Sequence, residues 1–369
     1  MNRTQTTTTQ IPYAVLNLRG EGSEDELTRS RNVGPLKYNG SLEQYEHFDV
    51  TPVIGREFAK DLQLVDILNA DNSDDLIRDL AVLISRRGVC FFRDQDISGE
   101  QLIQLGHKIG QLSGRPSASG LHVHPLTEDT PELGSGVLAE ISSDKQKKGG
   151  GLRQAYDDKS TYACTGWHSD ITFENNPSDY AALKMHTLPE TGGDTMWGSA
   201  YEVYDRISPP IQKLLEGLTA THDANFFHDE ARRLGIPIKA VGRGHPMNQG
   251  EDLRAVHPVV RTNPVTGWKG LFVNYAFTKR INDVTRDEND FLMKYCHDLL
   301  ALNHDLQVRF RWTKNAVAIW DNRSTYHTAT YDYDAKRAGD RVCSVGEKPY
   351  FDPKSVSRKQ ALKAEGKAW

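Results

Sequence analysis

The sequence predicts a mainly β fold, a double-sheet jelly roll with helical insertions, from three observations. Turn residues separate many short apolar runs typical of strands, which lie at 167–173, 181–187, 256–261, 270–275, 307–312, 316–320 and 341–346. After residue 166, helical periodicity is confined to 199–218 and 286–303. The sequence contains no internal repeat. Many short strands with a few helices outside them are typical of two packed sheets.

The chain opens with a helix, a strand and a second helix. Residues 74–84 carry apolar side chains at helical spacing with acids in the first turn, and the pattern stops at Gly88. The short apolar run at 89–92 is then typical of a strand. A second helical pattern covers 98–109. These helices lie outside the sheets in the predicted arrangement.

One domain is expected, with a short extension at each end. Residues 1–44 are Thr- and Gln-rich and then charged, which favours a partly flexible N-terminal arm. The domain itself would cover 45–352. Residues 139–166 are rich in Gly and charge without periodicity, which indicates a long loop, either a lid or a plain surface insertion. The tail at 353–369 carries five basic residues on a helical stretch, typical of a solvated helix.

The composition excludes several classes of protein. The chain has 45 Lys and Arg against 50 Asp and Glu, so its net charge of −5 provides no broad positive field for nucleic acid. No run approaches the roughly 18 apolar residues of a membrane helix. Four dispersed cysteines and an N-terminus without a secretory pattern favour a cytoplasmic location. We therefore expect a small-molecule protein with no nucleic-acid or membrane partner.

The first candidate site is a His-x-Asp triplet in the segment 167–173. If this segment is a strand, the side chains of His168 and Asp170 project from the same face. An imidazole and a carboxylate placed in this way are suited to binding one metal ion. The triplet alone is a weak signal, because a second one, at 228–230, is expected by chance in this composition.

A second cluster far along the chain strengthens the metal hypothesis. The apolar run 316–320 ends at Asp321 and Asn322, which we interpret as turn residues, and His327 follows where a barrel mouth would present it. Two histidines and one carboxylate form the facial triad of non-haem Fe(II) oxygenases, which leaves positions open for a co-substrate and dioxygen. A zinc hydrolase with the same ligands and an ordinary strand-end histidine are the alternatives.

Two arginines, Arg337 and Arg341, follow His327. The run 341–346 is typical of a strand, with Arg341, Cys343 and Val345 on one face. A planar guanidinium can hold a carboxylate in bidentate fashion, and an arginine that faces a barrel interior is costly unless it is paired. We therefore expect one or both arginines to bind an anion beside the metal.

Several motifs occur in a fixed order: FFRDQDIS at 91–98, HVHP at 122–125, WHSDITF at 167–173, LPETGGDTMW at 188–197, LFVNYAFTKRI at 271–281, and the run from IWDNRSTYH to GEKPY at 319–350. In this set the chain resembles the Fe(II)/2-oxoglutarate-dependent oxygenases of the taurine dioxygenase type, over residues 45–352. The resemblance implies a double-stranded β-helix, a cupin-like jelly roll, which agrees with the strand pattern. It also implies Fe(II), with 2-oxoglutarate and dioxygen as co-substrates.

The resemblance assigns roles to the candidate residues. Both histidines and the aspartate named above would bind the iron as the catalytic centre. Arg341 would grip the far carboxylate of 2-oxoglutarate, Thr195 would add a hydroxyl contact to it, and Arg337 would lie nearby. 2-Oxoglutarate would be decarboxylated to succinate while a C–H bond of the substrate is oxidised. Dimers and tetramers are frequent in the family, so a homo-oligomer is a further expectation.

The resemblance also implies residues that contact the substrate. In the taurine enzyme, the histidine matched by His124 binds the sulfonate together with the arginine matched by Arg341. The aromatic walls of that pocket correspond to Phe227 and Phe277. A sulfonate is therefore the best-matching substrate.

Four further positions bear on the substrate. Two of them differ from the taurine enzyme, and the other two are candidates for lining the pocket of this chain. Thr127 and Cys164 replace a tyrosine and an asparagine, so the polar contacts to the taurine amine differ, which argues against taurine itself. Cys343 and Val345 either shape the pocket or pack in the core. An amino acid or other specialised metabolite, which would be hydroxylated, desaturated or cyclised, is the alternative substrate.

A jelly-roll binding protein without catalysis is the non-enzyme alternative. In such a protein, unpaired charges inside the barrel would only destabilise the fold, which argues against this interpretation.

Overall fold

The computed structural model describes residues 27–32, 34–127, 136–144 and 163–367. These residues form a mainly β domain whose strands lie in several sheets. In chain order the strands are β1 (His47–Asp49), β2 (Arg56–Phe58), β3 (Val89–Phe92), β4 (Leu138–Ser142), β5 (Ser178–Thr187), β6 (Thr195–Ser199), β7 (Thr219–Asp223), β8 (Arg254–Pro258), β9 (Val260–Thr262), β10 (Lys269–Leu271), β11 (Thr278–Ile281), β12 (Gln307–Phe310), β13 (Ala316–Asp321), β14 (Thr325–Ala329) and β15 (Ala338–Val345).

The helices lie mostly between strands and cover the sheets. In chain order they are α1 (Leu64–Asn69), α2 (Ser73–Arg87), α3 (Gly99–Leu112), α4 (Ala200–Asp205), α5 (Pro209–Glu216), α6 (Phe227–Leu234), α7 (Arg286–Ala301) and α8 (Arg358–Ala364). Within the described ranges, none of these helices has both the length and the apolar character needed to cross a membrane.

Two sheets enclose the interior in which the candidate site lies. The larger sheet has seven strands in the order β1-β2-β3-β13-β5-β15-β4, and the smaller one has the order β12-β6-β14. In the larger sheet β2 and β3 run parallel, whereas the other neighbours are antiparallel. Short sheets β11-β7-β8 and β10-β9 complete the described strands. This double-sheet arrangement with helices outside is the one that the sequence predicts.

Alternation along β13 shows how the larger sheet is buried on both faces. Val317 and Ile319 pack with the side chains of α2 and α3 in one cluster, whereas Ala318 and Trp320 pack with Trp197 of the smaller sheet in another. Successive side chains of a strand point to opposite faces, so an apolar strand of this kind separates two cores. The second core lies next to the candidate site.

The predicted opening of helix, strand and helix is confirmed by α2, β3 and α3. Gly88 ends α2 with φ of +77°, and a Cβ at this position would come within 2.7 Å of Cγ2 of Thr325 in β14. Glycine is therefore required both by the backbone conformation and by the close approach of β14. Ser98 is the N-cap of α3 and forms a capping box with Gln101, an arrangement typical of helix N-termini.

The predicted strand at 167–173 is wrong, and this matters for the site. His168 forms only an isolated bridge with His327, after which residues 170–173 form a turn with Ile171 at φ of +51°. Side-chain hydrogen bonds replace the ladder: the Ser169 hydroxyl donates to the Thr325 carbonyl at 2.7 Å, and the Asp170 N–H donates to the Asn322 side chain at 3.1 Å. The segment is therefore held by polar side chains instead of by strand pairing.

Other element boundaries also differ from the prediction. The helix expected over 199–218 is divided into α4 and α5, because consecutive prolines at 209 and 210 begin a new helix after Ser208. The predicted loop at 139–166 begins with strand β4, which pairs with β15, and ends with a 3₁₀ helix at Ala163–Gly166. Residues 145–162, the rest of that predicted loop, lie outside the described residues, and so does the choice between a lid and a surface insertion.

Both predicted extensions pack against the domain where they are described. In the arm assigned to 1–44, Leu42 is buried in the core beneath α2, and the Leu36 N–H donates to the Val265 carbonyl at 2.8 Å. In the tail assigned to 353–369, Leu362 packs with Tyr201 and Trp268. The apolar contacts of Leu362 show that α8 has a packed face as well as its basic residues.

We predict that Gly339→Ala destabilises the fold. Gly339 lies in β15 between the two candidate anion-binding arginines, and a Cβ there would overlap the Lys184 carbonyl oxygen and the Met185 sulfur in β5. Because the first of these neighbours is backbone, relief requires the strands to separate, and overpacking of this kind costs about 1–3 kcal/mol. Urea unfolding of the variant measures the loss.

Gly34→Ala is the matched control, because a Cβ at position 34 meets no atom within 4 Å. Its unfolding midpoint should equal that of the unaltered protein. Equal midpoints for Gly339→Ala and Gly34→Ala would show that β15 and β5 do not approach as closely as described.

Candidate metal centre and active site

Three metal-binding side chains converge although one of them is far from the other two in sequence. His168 and His327 exchange both backbone hydrogen bonds of their bridge, at 3.0 and 2.7 Å. Oδ1 of Asp170 lies 3.9 Å from Nε2 of His168 and 3.8 Å from Nε2 of His327. All three ligand atoms lie within 4.8 Å of one another. The structure therefore brings together the three ligands that the sequence predicts.

Both imidazoles are held in the form that binds a metal. Nδ1–H of His168 donates to the Gly166 carbonyl at 2.8 Å, which leaves the lone pair of Nε2 directed at the other ligands. Burial lowers the pKa of His168, and burial together with the nearby His168 ring lowers the pKa of His327 to about 3. Neutral imidazole is the species that binds metal, so neither histidine has to lose a proton at neutral pH.

Asp170 is buried and ionised. Burial opposes its charge, but the adjacent Arg341 guanidinium, the two histidines and the amide of Asn322 together hold the pKa of this carboxyl well below its usual value. Arg341 Nη1 donates to Oδ1 at 2.8 Å, and Asn322 Nδ2 donates to Oδ2 at 3.3 Å. The carboxylate is thus available as an anionic ligand with a fixed orientation.

Asn322 is a site residue that the sequence analysis treated only as part of a turn. Besides its two contacts to Asp170, its Oδ1 accepts from Trp320 Nε1 at 3.0 Å and its Nδ2 donates to the Ser178 hydroxyl at 3.0 Å. All of these groups are buried. Asn322 therefore connects the end of β13 to the turn that carries the aspartate, and no periodicity in the sequence indicates such a contact.

The donor set fits Fe(II). Two neutral imidazoles and one carboxylate form the 2-His-1-carboxylate arrangement, which suits Fe(II) and leaves other coordination positions for exogenous ligands. The fixed tautomer of His168 and the two hydrogen bonds to Asp170 supply the orienting contacts that such ligands need.

The two candidate arginines occupy different environments. Arg337 is 2% exposed; its Nε donates to the Gly193 carbonyl at 2.8 Å and its Nη2 lies 3.4 Å from the Thr195 hydroxyl. Thr195 also accepts from Trp312 Nε1 at 2.9 Å. The structure therefore places the hydroxyl of Thr195, which the resemblance assigns to the carboxylate of 2-oxoglutarate, beside Arg337. Arg337 immediately precedes β15 and Thr195 begins β6, so the two side chains meet where these strands of different sheets begin.

Arg341 lies further along β15, against the metal ligands. Its side chain is 18% exposed, its Nη1 bonds to Asp170, and its buried Nε has no hydrogen-bond partner within the described residues. Burial opposes its charge, but the carboxylate of Asp170 raises the pKa of Arg341 above its usual value. Arg341 is therefore a permanent cation beside the metal position, with donor capacity to spare.

His124 lies on the same side of the centre. The Leu126 N–H donates to its Nδ1 at 3.1 Å, so the proton of the neutral ring is on Nε2. Burial, with the nearby charges of His122 and Arg341, lowers the pKa of His124 to about 3. His124 therefore offers an uncharged N–H donor close to the cation of Arg341.

Four phenylalanines form a cluster between His124 and the metal ligands, which we call the phenylalanine cluster: Phe173, Phe226, Phe227 and Phe277. The ring of Phe227 lies 4.9 Å from that of His124, and the ring of Phe277 lies 6.1 Å from that of His168. Both predicted aromatic walls are thus in contact with predicted site residues. They present an apolar surface next to the polar centre.

The remaining predicted pocket residues lie in different environments. Cys343 lies with its sulfur 3.8 Å from Oδ2 of Asp170, in contact with a metal ligand. Val345 is fully buried, and a Cβ on Gly244 would come within 2.8 Å of its Cγ2, so it packs in the core. Cys164 packs away from the phenylalanine cluster and hydrogen-bonds to Tyr275.

Thr127 closes a turn with His124, to whose carbonyl its N–H donates at 2.9 Å. It is the last described residue before the gap at 128–135. Thr127 therefore lies beside His124, and its predicted role in the substrate pocket stays a prediction.

Comparison with known proteins agrees with this geometry. The family model described as "Taurine catabolism dioxygenase TauD, TfdA family" matches residues 46–343. The chain belongs to this family. It is therefore an Fe(II)/2-oxoglutarate-dependent dioxygenase, with dioxygen as the second co-substrate, and the zinc-hydrolase and binding-protein alternatives are set aside.

Individual relatives include the alpha-ketoglutarate-dependent dioxygenase btcD of Neocamarosporium betae, which is 47% identical over 338 residues, 89% of this chain and 98% of that protein. A putative alpha-ketoglutarate-dependent sulfonate dioxygenase of Schizosaccharomyces pombe is 35% identical over 357 residues, 96% of this chain and 82% of that protein. Among solved structures, a putative alpha-ketoglutarate-dependent taurine dioxygenase from Burkholderia xenovorans has a TM-score of 0.64 at 26% identity, with 85% of this chain and 93% of that chain covered. The predicted jelly-roll fold is confirmed.

We predict that His168→Ala removes both metal binding and turnover in this dioxygenase. Loss of an orienting partner alone typically costs 10–100-fold in metal affinity, so loss of the ligand itself should lower Mn(II) affinity by about 100-fold or more. Mn(II) titration followed by electron paramagnetic resonance measures the affinity, and succinate release measures turnover.

His304→Ala is the control, since His304 is an exposed histidine at the start of a 3₁₀ helix. It should bind Mn(II) as the unaltered protein does. Tight Mn(II) binding by His168→Ala would contradict the ligand assignment.

Proposed function

We propose that this dioxygenase oxidises a C–H bond of a small anionic substrate, with a sulfonate as the best-matching class. Arg337 and Thr195 would hold the far carboxylate of 2-oxoglutarate, and Arg341 with His124 would hold the anionic group of the substrate. This assignment exchanges the roles that the sequence analysis gave to the two arginines as partners of 2-oxoglutarate.

The observation that carries the proposal is the buried guanidinium of Arg337. No carboxylate within the described residues forms an ion pair with it; Asp194, whose charge acts on it, is paired with Arg309 at 2.7 Å instead. A buried cation without a counter-ion is costly, so the site is built for an anion that arrives from solution. The Thr195 hydroxyl beside it supplies a second polar contact, and a planar guanidinium suits a carboxylate.

The second anion site is formed by Arg341 and His124. Arg341 supplies the charge and His124 supplies the neutral Nε2–H donor, so together they match an acidic group without introducing a base. A sulfonate or sulfate ester has three acceptor oxygens, which suits several donors arranged around one group. The S. pombe relative, named as a putative sulfonate dioxygenase, supports this choice.

The phenylalanine cluster favours a substrate whose other end is apolar. It lies between His124 and His168, so the body of an anion bound at His124 would rest against aromatic rings. This observation keeps a second candidate open, a carboxylic amino acid or another specialised metabolite with an apolar body, for which hydroxylation, desaturation or ring closure would be the outcome.

The chemistry of the bound Fe(II) would be to reduce dioxygen as 2-oxoglutarate is converted to succinate and carbon dioxide, with oxidation of the substrate. The chain's own contribution is positional. The hydrogen bonds to Asp170 and His168 hold the ligands, the two arginines separate the two anions, and the aromatic rings exclude water from the reacting C–H bond. A cytoplasmic location and a homo-oligomeric state stay predictions.

We predict that the two arginine variants have different kinetic effects. Arg337→Ala should raise the KM for 2-oxoglutarate by about 30-fold or more, because truncation of a buried charge pair costs about 2–5 kcal/mol. Arg341→Ala should change the KM for 2-oxoglutarate far less and should weaken stimulation of succinate formation by the substrate. Succinate release over a range of 2-oxoglutarate concentrations measures both.

Arg232→Ala, at a side chain that is 73% exposed, serves as the control. It should leave unchanged the KM for 2-oxoglutarate and the stimulation of succinate formation by the substrate. If Arg341→Ala shows the larger rise in the KM for 2-oxoglutarate, the roles of the two arginines proposed above are reversed.

We predict that a sulfonate or sulfate ester stimulates succinate formation more strongly than a free amino acid does. Matched compounds that share one apolar body and differ in the acidic group provide the comparison. Sulfite release, a mass gain of one oxygen and a loss of two hydrogens identify oxidation beside sulfur, hydroxylation and desaturation, respectively. Stimulation by amino acids alone would select the second candidate.

A further inference from the structure

A buried ion pair, Glu174 with Arg243, lies outside the metal-ligand set. Glu174 and Arg243 are 2% and 1% exposed. Arg243 donates through Nε to Oε1 at 2.6 Å and through Nη2 to Oε2 at 3.0 Å, a bidentate contact. Its remaining Nη1 donates to the Lys239 and Gly250 carbonyls at 2.8 and 2.9 Å. This pair is fully hydrogen-bonded, which is the condition for a buried ion pair to be tolerated.

The pair connects three segments that surround the site. The N–H of Glu174 donates to the Ile171 carbonyl at 3.0 Å, so this residue closes the turn that carries Asp170. Arg243 belongs to the loop at 239–250, whose Lys239 N–H donates to the Pro125 carbonyl at 2.9 Å. The third segment, 121–125, contains His124. The ion pair is therefore the point at which the metal-ligand turn, the loop and the substrate-binding segment meet.

His122 completes the connection. Its ring lies with Nε2 3.3 Å from Oε1 of Glu174, and its backbone N–H donates to the Cys343 carbonyl in β15 at 2.8 Å. The rings of His122 and His124 lie 6.3 Å apart with an edge-to-face orientation. His122 is thus held on one side by Glu174 and on the other by β15, two residues before the histidine proposed to bind the substrate.

We propose that Glu174 and Arg243 are positioning residues for the substrate pocket: their ion pair fixes His122 and thereby holds the segment 122–125 so that His124 faces Arg341. Neither residue touches the metal ligands or the phenylalanine cluster through a described hydrogen bond, ion pair or ring contact. The inference rests on the proposed role of His124. It gives this ion pair a role in substrate specificity in addition to a role in the stability of the fold.

The test is a double variant, Glu174→Leu with Arg243→Met, in the full chain. Both charges are removed together because removal of one would leave the other buried and unpaired, whereas apolar replacement of a whole pair is often neutral for folding. Glu202→Leu with Arg358→Met is the matched control. That pair has side chains 2% and 5% exposed with a separation of 3.5 Å, and it connects α4 with α8.

Nitrogen-15 spectra of the histidine rings, assigned with His122→Ala and His124→Ala, give a readout that needs no substrate. In the unaltered protein both rings should carry their proton on Nε2. In the double variant the His122 Nε2 proton should exchange with solvent about tenfold faster or more, and the His124 signals should shift. The affinities for Mn(II) and for 2-oxoglutarate should stay within about threefold of the original, because the ligands and Arg337 are untouched.

With a substrate from the screen, the KM for that substrate should rise about tenfold or more while kcat changes much less, as expected when binding energy shared by the ground state and the transition state is lost. The control pair should alter none of these quantities. Unshifted His124 signals in a folded double variant would overturn the inference, and so would an equal loss of Mn(II) and 2-oxoglutarate affinity, which would indicate general support of the barrel.

The proposed function fails separately. If no anion stimulates succinate formation, or if His124→Ala leaves stimulation intact, the role of His124 is wrong whatever the ring spectra show.

Discussion

The site depends on the burial of one ionised carboxylate. Asp170 keeps its charge in the interior only because a guanidinium, an amide and two imidazoles surround it. Except for His168, these partners lie more than 150 residues from Asp170 in sequence, so the cost of burying the charge is offset only when β13, β14 and β15 are all in place. The ligand set is therefore complete only in the folded domain.

The two arginines near the start of β15 occupy different environments in the site. Arg337 immediately precedes β15, whereas Arg341 lies within it, beyond an irregularity in the pairing with β5. Arg337 is 2% exposed, and the side chain of Arg341 is 18% exposed. The deeper arginine has a hydroxyl as its partner and the shallower one has a metal ligand. In the proposed site, 2-oxoglutarate and the anionic substrate would therefore bind to different arginines and would not compete for the same cation.

Residue identities in the site were predictable to a greater extent than their contacts. The triplet at 168–170, the cluster that ends at His327 and the order of the motifs identify His168, Asp170 and His327, yet the geometry predicted for the first two is wrong, since a turn and not a strand carries Asp170. Which of the two arginines meets Thr195 depends on how the two sheets pack on each other, which is a long-range property of the fold. The roles of Asn322 and Glu174 depend wholly on such contacts, so no local pattern reports them. The helix-strand-helix opening and the alternating strands were predictable because they follow from periodicity and turn residues alone.

The single bridge between His168 and His327 has a consequence for how the enzyme matures. The segment that contains His168 leaves the ribosome long before the one that contains His327, and the first has no partner for its backbone groups until the second arrives. A nascent chain therefore lacks a complete cage for iron during most of its synthesis.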